Sequence, residues 1–149
     1  MIEGSFLNPG IALRAVDLHE GMQVADFGAG SGFFTREAAR EVGPGGAVWA
    51  VDAQRDLLPR LKTLANAEGL QNVEVVQGDV EVVGGTHLPD NHFDLVIVAN
   101  VLFALEERGG LVAEIRRVLR PHGRALVIDW AGSFGGLGPH KDHVITQAA

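Results

Sequence analysis

Three glycines at alternate positions, Gly28, Gly30 and Gly32, and two acids, Asp26 before them and Asp52 beyond, are the residues here best suited to chemistry. Glycines in that spacing remove β-carbons where a ligand must touch backbone, and they permit backbone angles that other residues resist. A helix opening near Gly32 aims its unpaired N–H groups over the turn and favours an anion such as a carboxylate or phosphate. Asp52 is placed to accept hydrogen bonds from both hydroxyls of a ribose, as NAD or another adenosine-containing cofactor would offer. A dinucleotide fingerprint asks for G-x-G-x-x-G, and the third position is Phe33, so the observed spacing is G-x-G-x-G.

The elements that must hold these residues are legible from hydrophobic pattern. Asn8 caps and Pro9 opens a first helix, expected to run to about His19, with Ile11, Ala12, Ala15, Val16 and Leu18 on one face and Gly21 as its end. Strands are expected at 23–27, 47–51 (ending at Asp52), 73–77, 93–99 and 124–130. Between them, helices are expected over 32–42, 56–68 and 110–120. Phe34, Ala38 and Val42 share one helical face, and Leu57, Leu58, Leu61, Leu64 and Ala65 share another. In the 110–120 helix Leu111, Val112, Ile115, Val118 and Leu119 turn inward, with Arg116, Arg117 and Arg120 in water. Apolar strands alternating with helices imply a Rossmann-like open parallel sheet of five strands, covered by helices on both faces as a three-layer α/β/α fold. In such sheets ligands bind outside the carboxyl ends of the strands, where the glycine turn lies.

Composition narrows the function classes. The 149 residues suit one domain over 1–149, and 46% hydrophobic with 21% charged residues is an ordinary globular balance. A net charge of −7 argues against a general grip on nucleic acid. Zero cysteines exclude disulfides, thiolate metal sites and a cysteine nucleophile, and fit a cytoplasmic location. No apolar run is long enough to span a bilayer, so no membrane association is expected. His140 and His143 have helical i, i+3 spacing around Asp142, but a lone pair in a weakly patterned tail is read as no metal site. Phe33 and Phe34 are read as core aromatics.

Five segments in order carry a family resemblance. Val24-Ala25-Asp26-Phe27-Gly28-Ala29-Gly30-Ser31-Gly32 resembles the first motif of class I S-adenosylmethionine-dependent methyltransferases, and Val48-Trp49-Ala50-Val51-Asp52 their second strand. Gln77-Gly78-Asp79-Val80 is similar to their adenine-contacting segment, and Phe93 to Leu102 to their fourth strand. Leu119-Arg120-Pro121-His122-Gly123-Arg124 resembles their turn into strand five, where the family usually has glycine at the position of His122. The subgroup most similar in appearance contains the ubiquinone/menaquinone-biosynthesis enzymes, a methyltransferase type 11-like group.

The resemblance implies transfer of a methyl group from S-adenosylmethionine to a small-molecule acceptor, with S-adenosylhomocysteine as product. It implies that Asp26, Gly28, Ala29, Gly30 and Gly32 approach the methionine moiety, and that Asp52 holds the ribose. Ala53 and Gln54 would pack beside adenine, Asp79 would bind its amino group, and the Val80 N–H would face a ring nitrogen. Asn100 and Val101 would close over the methionine side. No residue is marked as a general base. The family's sheet has seven strands, and about 20 residues after strand five are too few for the last two at about 3.3 Å per residue. A truncated or naturally short chain is therefore expected, with strand five as an exposed edge through which the protein would form a homo-oligomer. The rival readings are a non-catalytic cofactor-binding or interaction module with this fold, and an NAD-binding oxidoreductase fragment, which Phe33 disfavours.

Overall fold

The computed structural model describes residues 8–99 and 108–128. In chain order these form α1 (Pro9–Ala15), β1 (Gln23–Phe27), α2 (Phe33–Val42), β2 (Ala47–Asp52), α3 (Leu57–Ala67), β3 (Val73–Gln77), β4 (Phe93–Ala99), α4 (Arg108–Val118) and β5 (Leu119–Ile128). The five strands make one sheet in the order β3-β2-β1-β4-β5, and every pairing is parallel.

Side-chain alternation along the strands divides the core in two. Val24, Val48, Ala50, Leu95 and Ile97 meet Leu13 of α1, Phe34, Ala38 and Val42 of α2, and Leu61 and Ala65 of α3 on one face. Ala25, Phe27, Val51, Val96 and Val98 meet Leu111, Ile115 and Val118 of α4 on the other, closed by Val80 and Leu88 from the β3–β4 loop. Each large apolar side chain so buried contributes roughly 1.5–3 kcal/mol. These two cores are why β2 and β4, and most of β1, read as apolar runs.

The register aligns Phe27 with Val51 and with Val98, and Asp52 with Gln77. The carboxyl ends of β1, β2, β3 and β4 therefore form one rim. Strand order reverses at β1, which lies between β2 and β4, so the rim has its crevice over the glycine turn.

Several expectations need correction. Helix α1 ends at Ala15, not near His19, because Asp17 adopts a left-handed φ of 58° and turns the chain; Gly21 belongs to the next turn. Leu13 is its buried anchor, while Ile11 is exposed. The cap is as read, with the Asn8 carboxamide oxygen accepting from Ile11 N–H at 3.2 Å. In α3 Leu64 points outward, and in α4 Val112 does so. Leu119 belongs to β5, which starts five residues earlier than expected. It pairs with Phe93 before Arg120–Gly123 loop out, and pairing resumes at Arg124 opposite Leu95. Phe33 is 65% exposed and is no core residue; the Arg36 guanidinium lies 5.8 Å from its ring centroid. Trp130, Asn100, Val101, His140 and His143 lie outside the described residues.

Candidate active site

The turn after β1 takes the shape its glycines allow. Gly28, Gly30 and Gly32 have φ of 77°, 56° and 83°, all in the region that disfavours a β-carbon. Gly28 and Ala29 donate their N–H groups to the Val51 carbonyl at 2.8 and 3.0 Å, which ties the turn to β2. Gly32 is the N-cap of α2 and no side chain caps that end. A β-carbon at Gly32 would lie 2.7 Å from Leu61 Cγ, so glycine is also needed for α3 to pack there. Above Gly30 there is open space: a β-carbon would meet nothing within 4 Å.

Asp52 completes the cradle from β2. Its Oδ2 accepts from Gly30 N–H at 2.9 Å, and its Oδ1 accepts from Gln54 N–H at 2.9 Å. A carboxylate has about four lone-pair positions, so each oxygen keeps acceptor capacity after these bonds. The residue is only 9% exposed. Two acceptors side by side, fixed by backbone donors beneath an open turn, fit a ribose diol.

Asp26 has a different setting. Strand parity points it toward α2, where Thr35 Oγ1 donates to its Oδ2 at 2.7 Å, and it is 2% exposed. Its pKa is raised to about 6: burial is the main cause, the Thr35 hydrogen bond works against it, and the Asp52 charge adds to it. Thr35 was not singled out from sequence; its place three residues after Gly32, on the inner face of α2, was the available signal.

Just past the end of β2, Ala53 and Gln54 are exposed beside Asp52. Asp79 is exposed, with its Oδ1 accepting from Glu81 N–H at 2.9 Å, while Val80 is buried in the core under α4. The candidate residues at 26 to 32, 52 to 54 and 79 to 80 thus lie at or beyond the carboxyl ends of β1, β2 and β3, along one rim of the sheet.

The loop carrying Asp79 is held by a residue the sequence reading missed. Glu114 of α4 is fully buried, and its carboxylate accepts from Gly84 N–H, Thr86 N–H and Thr86 Oγ1 at 2.7, 3.2 and 2.5 Å. Arg117 forks onto it through Nε and Nη2 at 2.7 Å each and also pairs with Asp90. Arg117 is therefore not a solvated arginine. Burial pushes the Glu114 pKa up, but the bonds from Arg117, Thr86 and Gly84 outweigh it and hold the carboxyl at about 2.

A family model described as a methyltransferase domain matches residues 25–127. The chain belongs to that family. It is 34% identical over 121 residues to the ubiquinone/menaquinone biosynthesis C-methyltransferase UbiE of Pseudomonas paraeruginosa, covering 80% of this chain and 46% of that protein. The chain thus spans about half the length of the curated relatives it matches. Among solved structures, a SAM dependent methyltransferase from Aquifex aeolicus superposes with a TM-score of 0.86 at 30% identity, covering 97% of this chain and 76% of that one. CrArsM, an arsenic (III) S-adenosylmethionine methyltransferase from Chlamydomonas reinhardtii, superposes with a TM-score of 0.65 at 33% identity, covering 71% and 38%. The class I methyltransferase fold inferred from five motifs is the fold of this methyltransferase domain, and its glycine turn and Asp52 lie within the matched segment.

Proposed function

We propose that this domain, read as one unit over residues 1–149, binds S-adenosylmethionine and transfers its methyl group to a small-molecule acceptor. The observation that carries the reading is the joined Gly30–Asp52 unit, an acid with spare acceptor capacity beneath an open glycine turn. In this reading Asp52 accepts from the ribose hydroxyls. The backbone from Asp26 to Gly32, with the uncapped start of α2, holds the methionine end. Ala53 and Gln54 flank the adenine, Asp79 accepts from its amino group, and Val80 presents its N–H; Asn100 and Val101 are assigned to the methionine side. The sulfonium supplies a methyl group already activated for in-line attack. The protein's work is then to align the acceptor and exclude water, which needs no general base when the acceptor has no proton to lose.

The identity of the relatives supports a small organic acceptor, and the missing cysteines argue against arsenic as this chain's substrate, since thiolates hold soft ions. Net charge −7 argues against nucleic acid. Among the described residues no helix is long and apolar enough to cross a membrane; a cytoplasmic location is part of the proposal. So is self-association through β5, which pairs only with β4 among the described residues and has Val127 half exposed.

Incubation with methyl-labelled S-adenosylmethionine and a panel of phenols, amines and thiols tests the reading. Label on any acceptor, dependent on Asp52, supports it. Tight cofactor binding with no transfer to any acceptor class would instead favour a non-catalytic binding module.

A further inference from the structure

We propose that Glu114 is a positioning residue for adenine recognition, acting from α4 through the backbone strip Gly84–Thr86 on which Asp79 rests. The inference builds on the cofactor reading above. The links are short and continuous. Glu114 Oε1 takes the Gly84 N–H, and Oε2 takes the N–H and hydroxyl of Thr86, so both sides of Gly85 are fixed by one carboxylate. The Gly85 carbonyl in turn accepts from Asp79 N–H at 2.9 Å. The two backbones are in direct contact. A β-carbon at Gly78 would lie 2.7 Å from the Gly85 oxygen and 3.0 Å from Thr86 Cα, and one at Gly85 would overlap the Asp79 carbonyl oxygen.

A second contact from the same helix bears on the same loop. A β-carbon at Gly110 would overlap the Glu81 carbonyl oxygen, and Glu81 N–H is the donor that orients the Asp79 carboxylate. Helix α4 therefore grips the loop before and after the turn that aims Asp79. A residue needed only to fill this space would be apolar, because burying a charge is costly unless every lone pair is used. Here the two oxygens take three donors from the loop and two from Arg117, an arrangement that fixes orientation as well as position. The carboxyl, held at about 2, stays charged throughout the neutral range.

The test is calorimetric binding of S-adenosylhomocysteine and of S-inosylhomocysteine, which carries oxygen in place of the adenine amino group. Wild type, Glu114→Gln, Thr86→Val and Thr86→Ser are compared. Wild type is expected to prefer the adenine ligand by about tenfold, the worth of one well-aligned hydrogen bond. Glu114→Gln is expected to cut that preference at least threefold. Thr86→Val should do so partly, and Thr86→Ser, which keeps the hydroxyl, should restore it. Folded variants that keep the preference, or that lose both ligands by one common factor, overturn the proposal, because a purely structural role weakens both alike. If Glu114→Gln does not fold, the contrast between Thr86→Val and Thr86→Ser decides in the same terms. Wild type binding neither ligand would overturn the cofactor reading, and this inference with it; wild type binding both equally would overturn the Asp79 assignment and this inference while leaving the cofactor reading standing.

Discussion

Gly30 N–H donates to Asp52 Oδ2 at 2.9 Å, so the turn after β1 and the acid ending β2 are one rigid unit spanning two strands. Neighbouring glycines of that unit serve different ends. Gly32 has φ of 83° and Leu61 Cγ where a β-carbon would go, whereas Gly30 has φ of 56° and empty space. Gly32→Ala should therefore lower stability by about 2–4 kcal/mol, combining left-handed strain with overpacking. Gly30→Ala should cost only about 1–2 kcal/mol of stability, yet weaken S-adenosylhomocysteine binding more than Gly32→Ala does per unit of stability lost. Urea unfolding and calorimetry on both variants check this ordering.

Asp26 should make the protein lose stability as pH rises. Its pKa is raised from 3.8 to about 6 in the fold, so between those values the native state holds a proton that the unfolded state has released. Stability from this group is full below pH 4, falls between about pH 4 and 6, and levels off above. At about 1.4 kcal/mol per unit the loss is on the order of 3 kcal/mol. Asp26→Asn keeps an acceptor for Thr35 and removes the buried charge, so it should raise the melting temperature at pH 7 and leave it nearly unchanged at pH 4. Equal shifts at both pH values would contradict the assignment.

His122 occupies a left-handed conformation, φ 68°, at the position where the family usually has glycine. Backbone in that region costs a side-chain-bearing residue about 1–2 kcal/mol. The expected result is that His122→Gly gains up to about 1 kcal/mol in urea unfolding, part of the relief being lost to the freer unfolded chain. A destabilised variant would show that the imidazole makes a compensating contact.

Among the described residues β5 pairs only with β4, and its exposed Val127 lies along it. Edge pairing predicts a dimer or larger species in sedimentation at tens of micromolar, shifted toward monomer by Val127→Lys. A wild-type monomer across that range would remove self-association from the account.

How much of this was readable in advance follows physical lines. The first four strands came out at their expected limits because β1, β2 and β4 are mostly apolar runs covered on both faces, while Val73, Val75 and Val76 mark β3. Gly28, Gly30 and Gly32 were legible because a turn that needs positive φ leaves glycines in the sequence, and Asp52 because it ends the second apolar strand. The end of α1 was missed because Asp17 takes a left-handed conformation that glycine normally marks. Phe33 was misread because one residue separates the inner face of a helix from its outer face. Glu114 carried a signal that went unused. It falls on the stripe formed by Leu111, Ile115 and Val118, and an acid on the apolar face of a helix needs buried donors to meet it. Those donors come from residues 84 to 86, remote in sequence, so the partnership itself was invisible.

The central claim is that Asp52 and the glycine turn form an adenosine-cofactor site. Calorimetric titration with S-adenosylhomocysteine, with NAD and Asp52→Ala as controls, tests it most directly. Wild type is expected to bind at micromolar concentration and not to bind NAD, with affinity reduced at least a hundredfold in Asp52→Ala, about 2.7 kcal/mol for two hydroxyl bonds. Binding that survives unchanged in Asp52→Ala, or no binding by a folded wild type, would contradict it.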